Sequence, residues 1–155
     1  MQLSKTFDYA VRSLVHLATL PEGGAADLRA ISVRQNIPVS YLAKVMRSLV
    51  RGGVVTSTLG RDGGYTLRRK PSEISLLQVY EVMEGQLRLV ECMDSEKSCV
   101  FSSDCTQANI WKRLTQAVEG IFRETTLQDL LPKVPTGESS IPVTIKEKGY
   151  ARAGA

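Results

Sequence analysis

The chain has 155 residues, of which 43% are hydrophobic and 23% are charged, so we expect a folded globular protein with one main domain. No run approaches the ~20 apolar residues of a membrane helix, and the N-terminus lacks the apolar core of a signal peptide; both features favour a cytoplasmic protein without membrane association. The net charge of +4 is uneven, because residues 1–70 carry a net +7 and residues 71–155 a net −3.

A first helix is predicted from about residue 4 to residue 20. Apolar residues recur at helical spacing along one face of this segment, which ends at a proline and a pair of glycines. Another face carries Asp8, Arg12 and His16 at intervals of four residues, and these side chains form a polar stripe.

Two further short helices form a helix-turn-helix pattern. The second helix is expected to start after Asp27 as its N-cap and to end near Gln35, and the third to start at Ser40 as its cap and to end near Arg51. The third helix combines an apolar back with a basic, hydrogen-bonding front, which is typical of a helix that enters a DNA major groove. We predict contacts with base edges for Ser40, Tyr41 and Lys44, and contacts nearer the phosphates for Arg47 and Arg51.

A β-hairpin, the wing, is predicted over residues 54–67. Its strands are Val54–Leu59 and Tyr65–Leu67, and the glycine-rich turn between them places Arg61 at the tip, where it can enter a minor groove. Residues 34–70 contain eight basic residues and one acidic residue. We favour a surface that contacts phosphate backbones over the alternative of a merely solvated basic face.

The C-terminal half is predicted to contain a short and a long helix. Ser75 and Gln78 form a capping-box pattern that opens a helix closing at Gly85, and the long helix runs from about Thr106 to at least Arg123. A short extra helix is expected over residues 125–131. The apolar stripe of the long helix could pack on its own domain, but we favour a homodimer interface formed by Ile110, Trp111, Leu114, Val118 and Ile121.

Together these elements predict a mainly α protein with a small β-wing. Residues 1–85 would form a winged helix-turn-helix domain, residues 86–131 a cysteine loop and dimerisation helix, and residues 132–155 a flexible tail with little core-forming content. A two-fold dimer would present two recognition helices to a palindromic operator in double-stranded promoter DNA.

All three cysteines, Cys92, Cys99 and Cys105, lie in one short polar segment. An odd number cannot close entirely into internal disulfides, and both gaps are longer than the CxxC knuckle of structural zinc sites. Three thiolates on one loop suit an iron–sulfur cluster with a further ligand from elsewhere. Unliganded thiols, a thiol redox switch and a zinc site remain alternatives. An enzyme is disfavoured, because the chain has neither a CxxC motif nor a glycine-rich phosphate loop.

Four segments resemble the NsrR/IscR family of bacterial winged-helix repressors. They are MQLSKTFDYAVRSL, SYLAKVMRSLVRGGVV, GRDGGYTL and the three-cysteine loop, and they follow the family's order over roughly residues 1–131. The resemblance implies a homodimer that binds palindromic promoter DNA and holds an iron–sulfur cluster on Cys92, Cys99 and Cys105.

The expected fourth ligand differs between the branches of that family. The IscR branch completes a [2Fe–2S] site with a histidine three residues after the last cysteine, where this chain has Ala108. The NsrR branch completes a [4Fe–4S] site with an aspartate from the first helix of the other subunit, and the matching residue here is Asp8. The resemblance therefore favours [4Fe–4S] and nitric oxide sensing. A longer first cysteine gap keeps an iron-responsive branch resembling RirA as an alternative, and Asp8 could instead form an ordinary ion pair with Arg12.

The leading prediction is thus a dimeric repressor, not an enzyme, whose operator binding is gated by a cluster that senses nitric oxide, redox state or iron. The alternative is a winged-helix regulator without a cluster, which responds to a metabolite or through a cysteine thiol switch.

Overall fold

A computed structural model describes residues 3–21, 23–60, 63–90 and 105–132. Cys92, Cys99, Arg61 and the predicted tail from residue 133 onward lie outside these ranges. The helices are α1 (Lys5–Ala18), α2 (Leu28–Gln35), α3 (Val39–Arg51), α4 (Leu76–Glu84) and α5 (Ala108–Glu124), with 3₁₀ turns at Pro71–Glu73 and Leu127–Leu130. Strands β1 (Val55–Thr58) and β2 (Gly64–Leu67) pair antiparallel. This confirms the predicted mainly α fold with a small wing.

The helix starts follow from side chains that accept free backbone N–H groups. Ser4 caps α1, Asp27 caps α2 with its Oδ1 2.8 Å from the Ala30 nitrogen, and Ser75 caps α4. The prediction that Ser40 caps α3 is wrong. The cap is Pro38, two residues earlier, whose φ of −56° already suits a helix start, so Ser40 lies within the first turn.

The turn between α2 and α3 is held by local hydrogen bonds. Asn36 ends α2 in the left-handed region with φ 51°, and the buried hydroxyl of Ser32 donates to the Ile37 carbonyl across the turn at 2.6 Å. Because this hydroxyl lies beneath the turn, it satisfies a carbonyl that would otherwise be buried without a partner. The turn between the two helices is therefore held by a bond from inside the protein.

The core lies where α1, α3 and α4 meet. Its fully buried side chains include Leu14 of α1, Ile31 of α2, and Leu42, Met46 and Leu49 of α3. The rings of Phe7, Tyr80 and Phe122 contact one another, with centroids 5.4–5.8 Å apart. Through Phe122, the C-terminal end of α5 packs against the winged-helix core.

The wing is attached to the loop that precedes α2. Ala26 and Tyr65 exchange two backbone hydrogen bonds, with N···O distances of 3.1 and 2.9 Å. The backbones approach so closely that a Cβ on Gly64 would lie 2.7 Å from the Ala26 carbonyl oxygen. Glycine is therefore required there by space, and the wing is tied to the start of the helix-turn-helix.

Candidate nucleic-acid interface and ligand residues

One face of α3 carries five of the six predicted DNA-contacting residues. The side chains on this face are exposed, while Leu42, Val45, Met46 and Leu49 on the opposite side are buried. Helical spacing makes the exposed residues a continuous polar and basic surface, consisting of Ser40, Tyr41, Lys44, Arg47 and Arg51. Arg61, the sixth, lies outside the described residues.

Tyr41 differs from its neighbours on this face because it also contacts α1. Its hydroxyl oxygen lies 2.6 Å from the Thr6 hydroxyl, and its ring meets the Tyr9 ring edge-on, with centroids 5.3 Å apart. The sequence suggested neither contact. Tyr41 therefore has partners within the chain.

More positive charge lies at the base of the wing. Arg68, Arg69 and Lys70 are exposed and help to line a cavity of about 710 Å³ between β2 and the end of α1. The Arg69 guanidinium donates to the Glu73 carbonyl at 3.4 Å, and the Lys70 backbone N–H donates to the Glu73 carboxylate at 3.0 Å. These bonds fix the backbone that follows the wing.

The Asp8–Arg12 pair foreseen as an alternative is present. The Arg12 Nη1 lies 3.5 Å from the Asp8 Oδ2, and 57% of the Asp8 side chain is exposed. The same guanidinium donates through Nη2 to the carbonyl of Gln35, the last residue of α2, and lies 5.8 Å from the Tyr9 ring centroid. Arg12 thus connects the exposed carboxylate to the helix-turn-helix.

His16 continues this stripe but lies away from Asp8. Eight residues of helix separate them by about 12 Å, so α1 does not bring both side chains to one metal ion. His16 lines a cavity of about 600 Å³ with Arg12 and Arg34. Burial, and then the charge of Arg34, lower the pKa of its imidazole.

Of the cysteines, the structure places Cys105, whose thiol is half-buried and free just before α5. Within the described ranges, no group of three or more metal-ligating side chains is found. Cys92 and Cys99 lie outside these ranges, so the predicted set of cluster ligands stays a prediction.

Two adjacent stripes run along α5. One consists of the half-buried or buried side chains Trp111, Thr115, Val118 and Phe122, and the other of the exposed side chains Ile110, Leu114, Ala117 and Ile121. The exposed fractions of Ile110, Leu114 and Ile121 are 45, 41 and 62%. Three of the five predicted interface residues thus lie on the exposed stripe, while Trp111 and Val118 are half-buried within the chain.

Residues 3–133 match the Rrf2 family, described as an iron-dependent transcriptional regulator. The chain belongs to the Rrf2 family. Over 149 residues this Rrf2 protein is 30% identical to the HTH-type transcriptional regulator NsrR of Halalkalibacterium halodurans, covering 96% of this chain and 99% of that one.

The fold of this Rrf2 protein is similar to that of solved structures of related regulators. It superposes on T. potens IscR with a TM-score of 0.68 and 25% identity, covering 84 and 85% of the two chains. It superposes on the oxidised form of Staphylococcus aureus CymR with a TM-score of 0.70 and 27% identity, covering 88 and 100%. The chain is therefore a winged-helix, DNA-binding transcriptional regulator. Separately, the helices of the described residues are all too short or too polar to span a bilayer.

Proposed function

We propose that this Rrf2 protein is a homodimeric repressor whose operator binding is gated by an iron–sulfur cluster. The observation that carries the proposal is the position of Asp8, an exposed carboxylate whose partner Arg12 also bonds the turn of the helix-turn-helix. A change in what Asp8 binds can therefore reach the DNA-reading element. The similarity to an NsrR supports the same conclusion.

The proposed ligands are Cys92, Cys99 and Cys105 of one subunit and Asp8 of the partner subunit. Three thiolates and one carboxylate supply four ligands, the usual number for a cluster, and the absence of a histidine at Ala108 favours [4Fe–4S] over [2Fe–2S]. Held by these four residues, a cluster would supply iron able to react with nitric oxide or oxygen, and it would be lost when iron is scarce. Ligation would draw Asp8 from Arg12, and Arg12 would keep its bond to the Gln35 carbonyl.

The exposed stripe of α5 supports the dimer. Its residues follow a 4-3-4 spacing, which is that of the seam of a two-stranded coiled coil. Burying one Leu or Ile side chain contributes about 1.5–3 kcal/mol, and a two-fold interface buries each residue twice. We therefore assign the exposed stripe to the partner helix and the half-buried stripe to the chain's own core.

In the proposed DNA complex, the dimer places two copies of α3 in successive major grooves of a palindromic operator. Ser40 and Lys44 would approach base edges, Arg47 and Arg51 phosphates, and Arg61 the minor groove. Arg68, Arg69 and Lys70 add charge for flanking phosphates. The positive charge of residues 1–70 supports this orientation.

Anaerobic native mass spectrometry of the wild type, Asp8→Ala and Glu81→Gln tests the proposal. The wild type is expected as a dimer with a four-iron, four-sulfide mass on each subunit, and Asp8→Ala as a dimer that loses the cluster readily. Glu81→Gln removes an exposed acid of α4 and should behave as wild type. A wild type without iron and sulfide, even after reconstitution, excludes the cluster.

A thiol switch is the second candidate, favoured by the similarity to CymR, for which an oxidised form is solved. In that case two of the three thiols lose two hydrogens to an oxidant such as a peroxide and form a disulfide, and DNA affinity changes with oxidation. Intact mass before and after peroxide treatment of the iron-free protein, followed by DNA binding, separates the two mechanisms. An oxidised protein with unchanged DNA affinity excludes the switch.

A further inference from the structure

The first turn of the recognition helix is tied to the first turn of α1 by one residue. Tyr41 shares a hydrogen bond with Thr6, 2.6 Å between the oxygens, and packs its ring edge-on against Tyr9. Thr6 and Tyr9 are three residues apart and lie on one face of α1. Both therefore act on the same aromatic side chain of α3.

Further contacts connect Tyr9 to Asp8, the candidate iron ligand. The Arg12 guanidinium lies 5.8 Å from the Tyr9 ring centroid and 3.5 Å from the Asp8 carboxylate. A continuous series of contacts thus runs from Asp8 through Arg12 and Tyr9 to Tyr41. A displacement of the ligand-bearing turn of α1 would act directly on α3, the helix that faces DNA.

The start of α1 also contacts a second helix, α4. Ser4, which caps α1, donates its hydroxyl to the carboxylate of Glu84, the last residue of α4. The segment with the cysteines begins a few residues later in the sequence. The first turn of α1 therefore contacts both the helix that precedes the cysteines and the helix that reads DNA.

We propose that Tyr41 is a positioning residue that couples the ligand-bearing turn of α1 to the recognition helix through its hydroxyl bond to Thr6. This replaces the role of base reader predicted for Tyr41 from the sequence. The inference rests on the proposed function, because the coupling matters only if Asp8 binds a cluster. Ser40 and Lys44 then remain as the residues that approach base edges.

The test measures how strongly cluster loading changes DNA affinity. The wild type, Tyr41→Phe, Thr6→Val and the double variant are prepared anaerobically in loaded and cluster-free forms, with iron content measured for each. The DNA is a duplex selected by the loaded wild type from a random pool. The quantity compared is the ratio of the two dissociation constants, cluster-free over loaded.

Each single variant is expected to lower this ratio by about fivefold, the change in an equilibrium constant that one ordinary net hydrogen bond supports. The double variant should lower it no further, because both substitutions remove the same bond. Thr19→Val is the matched control. It removes an exposed hydroxyl bond at the far end of α1, 2.7 Å from the Thr19 hydroxyl to the His16 carbonyl, and should leave the ratio unchanged.

Two results would overturn the coupling while leaving the proposed function intact. If Tyr41→Phe weakens DNA binding equally in both forms and Thr6→Val behaves as wild type, the Tyr41 hydroxyl contacts DNA directly. If both variants keep the wild-type ratio, the bond between Tyr41 and Thr6 does not couple cluster loading to DNA affinity. A wild type that takes up no cluster, or whose affinity ignores it, overturns the proposed function itself and the coupling with it. Circular dichroism melts of each variant establish that the fold is retained.

Discussion

Helices α3 and α5 are both amphipathic, yet their apolar faces differ in how far they are buried. In α3, Leu42, Val45, Met46 and Leu49 are all buried inside the domain. Among the residues of α5, Thr115 alone is buried, and a row of large apolar side chains is exposed. The contrast indicates that the apolar face of α3 is covered by its own domain, whereas α5 keeps a row of exposed apolar side chains.

The largest expected effect is on the free energy of unfolding, and it tests whether the apolar face of α3 lies in the core of its own domain. Leu49→Ala removes a fully buried side chain from α3 and leaves a cavity, so we expect a loss of about 2–5 kcal/mol in the free energy of unfolding, measured with denaturant. The control Val33→Ala shortens an apolar side chain that is 83% exposed and should change this free energy by less than about 0.5 kcal/mol. A small loss for Leu49→Ala would mean that the core is not where the structure puts it.

The next effect concerns the outward stripe. Ile121→Asp places two charges in the proposed seam of the dimer, and the dimer should dissociate at least about a hundredfold more readily because two apolar contacts are lost. Sedimentation velocity reports the mass, and circular dichroism should show a folded monomer. Gln116→Asp, on the opposite side of α5, is the control. If Ile121→Asp remains a dimer at the same concentrations, α5 does not form the interface.

A smaller effect is expected at the DNA-facing side of α3. Lys44→Ala or Arg51→Ala should weaken DNA binding and lower the magnitude of the slope of log affinity against log salt by roughly one if the lost cation neutralised a phosphate. Fluorescence anisotropy over a salt series measures this slope. Arg123→Ala, at the end of α5, should leave it unchanged. An unchanged slope for both α3 variants would contradict the assignment of this face to the groove.

The smallest effect is a pH dependence at His16. Its folded-state pKa is lowered, so between that value and the unfolded value of 6.5 the unfolded chain binds more protons. The stability of the fold should therefore fall slightly as the pH drops from 6.5 through the folded pKa. Denaturant unfolding at several pH values measures the fall, and His16→Gln should abolish it. Since His16 is the only histidine, its NMR titration reports the pKa without assignment; a value at or above 6.5 would contradict the expectation.

The features of the fold that could be predicted from the sequence were those that depend on neighbouring residues. The caps at Asp27 and Ser75 and the closing Gly85 were correct because each depends on a few neighbouring residues. Ser40 failed as a cap because Pro38 starts the helix first, and a residue-type preference cannot decide between two candidates only two positions apart. The division of α5 into two stripes was also missed, since hydrophobic spacing does not tell which apolar residues the chain itself covers.

The candidate site depended on contacts between distant residues. The charge and spacing along α3 predicted its exposed face, and the four-residue interval predicted the Asp8–Arg12 pair. The hydroxyl pair of Thr6 and Tyr41 joins residues 35 positions apart, and the bond from Arg12 to the Gln35 carbonyl joins residues 23 apart. Such contacts follow from the packing of whole helices, and the residue types involved are too common to suggest them.

The close contact between Gly64 and Ala26 has a consequence for how any signal could be read out. Because a Cβ at position 64 would collide with the Ala26 backbone, and Ala26 and Tyr65 share two backbone hydrogen bonds, strand β2 is held against the start of the helix-turn-helix. We therefore expect this strand and the helix-turn-helix to move together. In a dimer, an effector that changes the distance or the angle between the two DNA-binding halves would control the half-site spacing that the protein accepts.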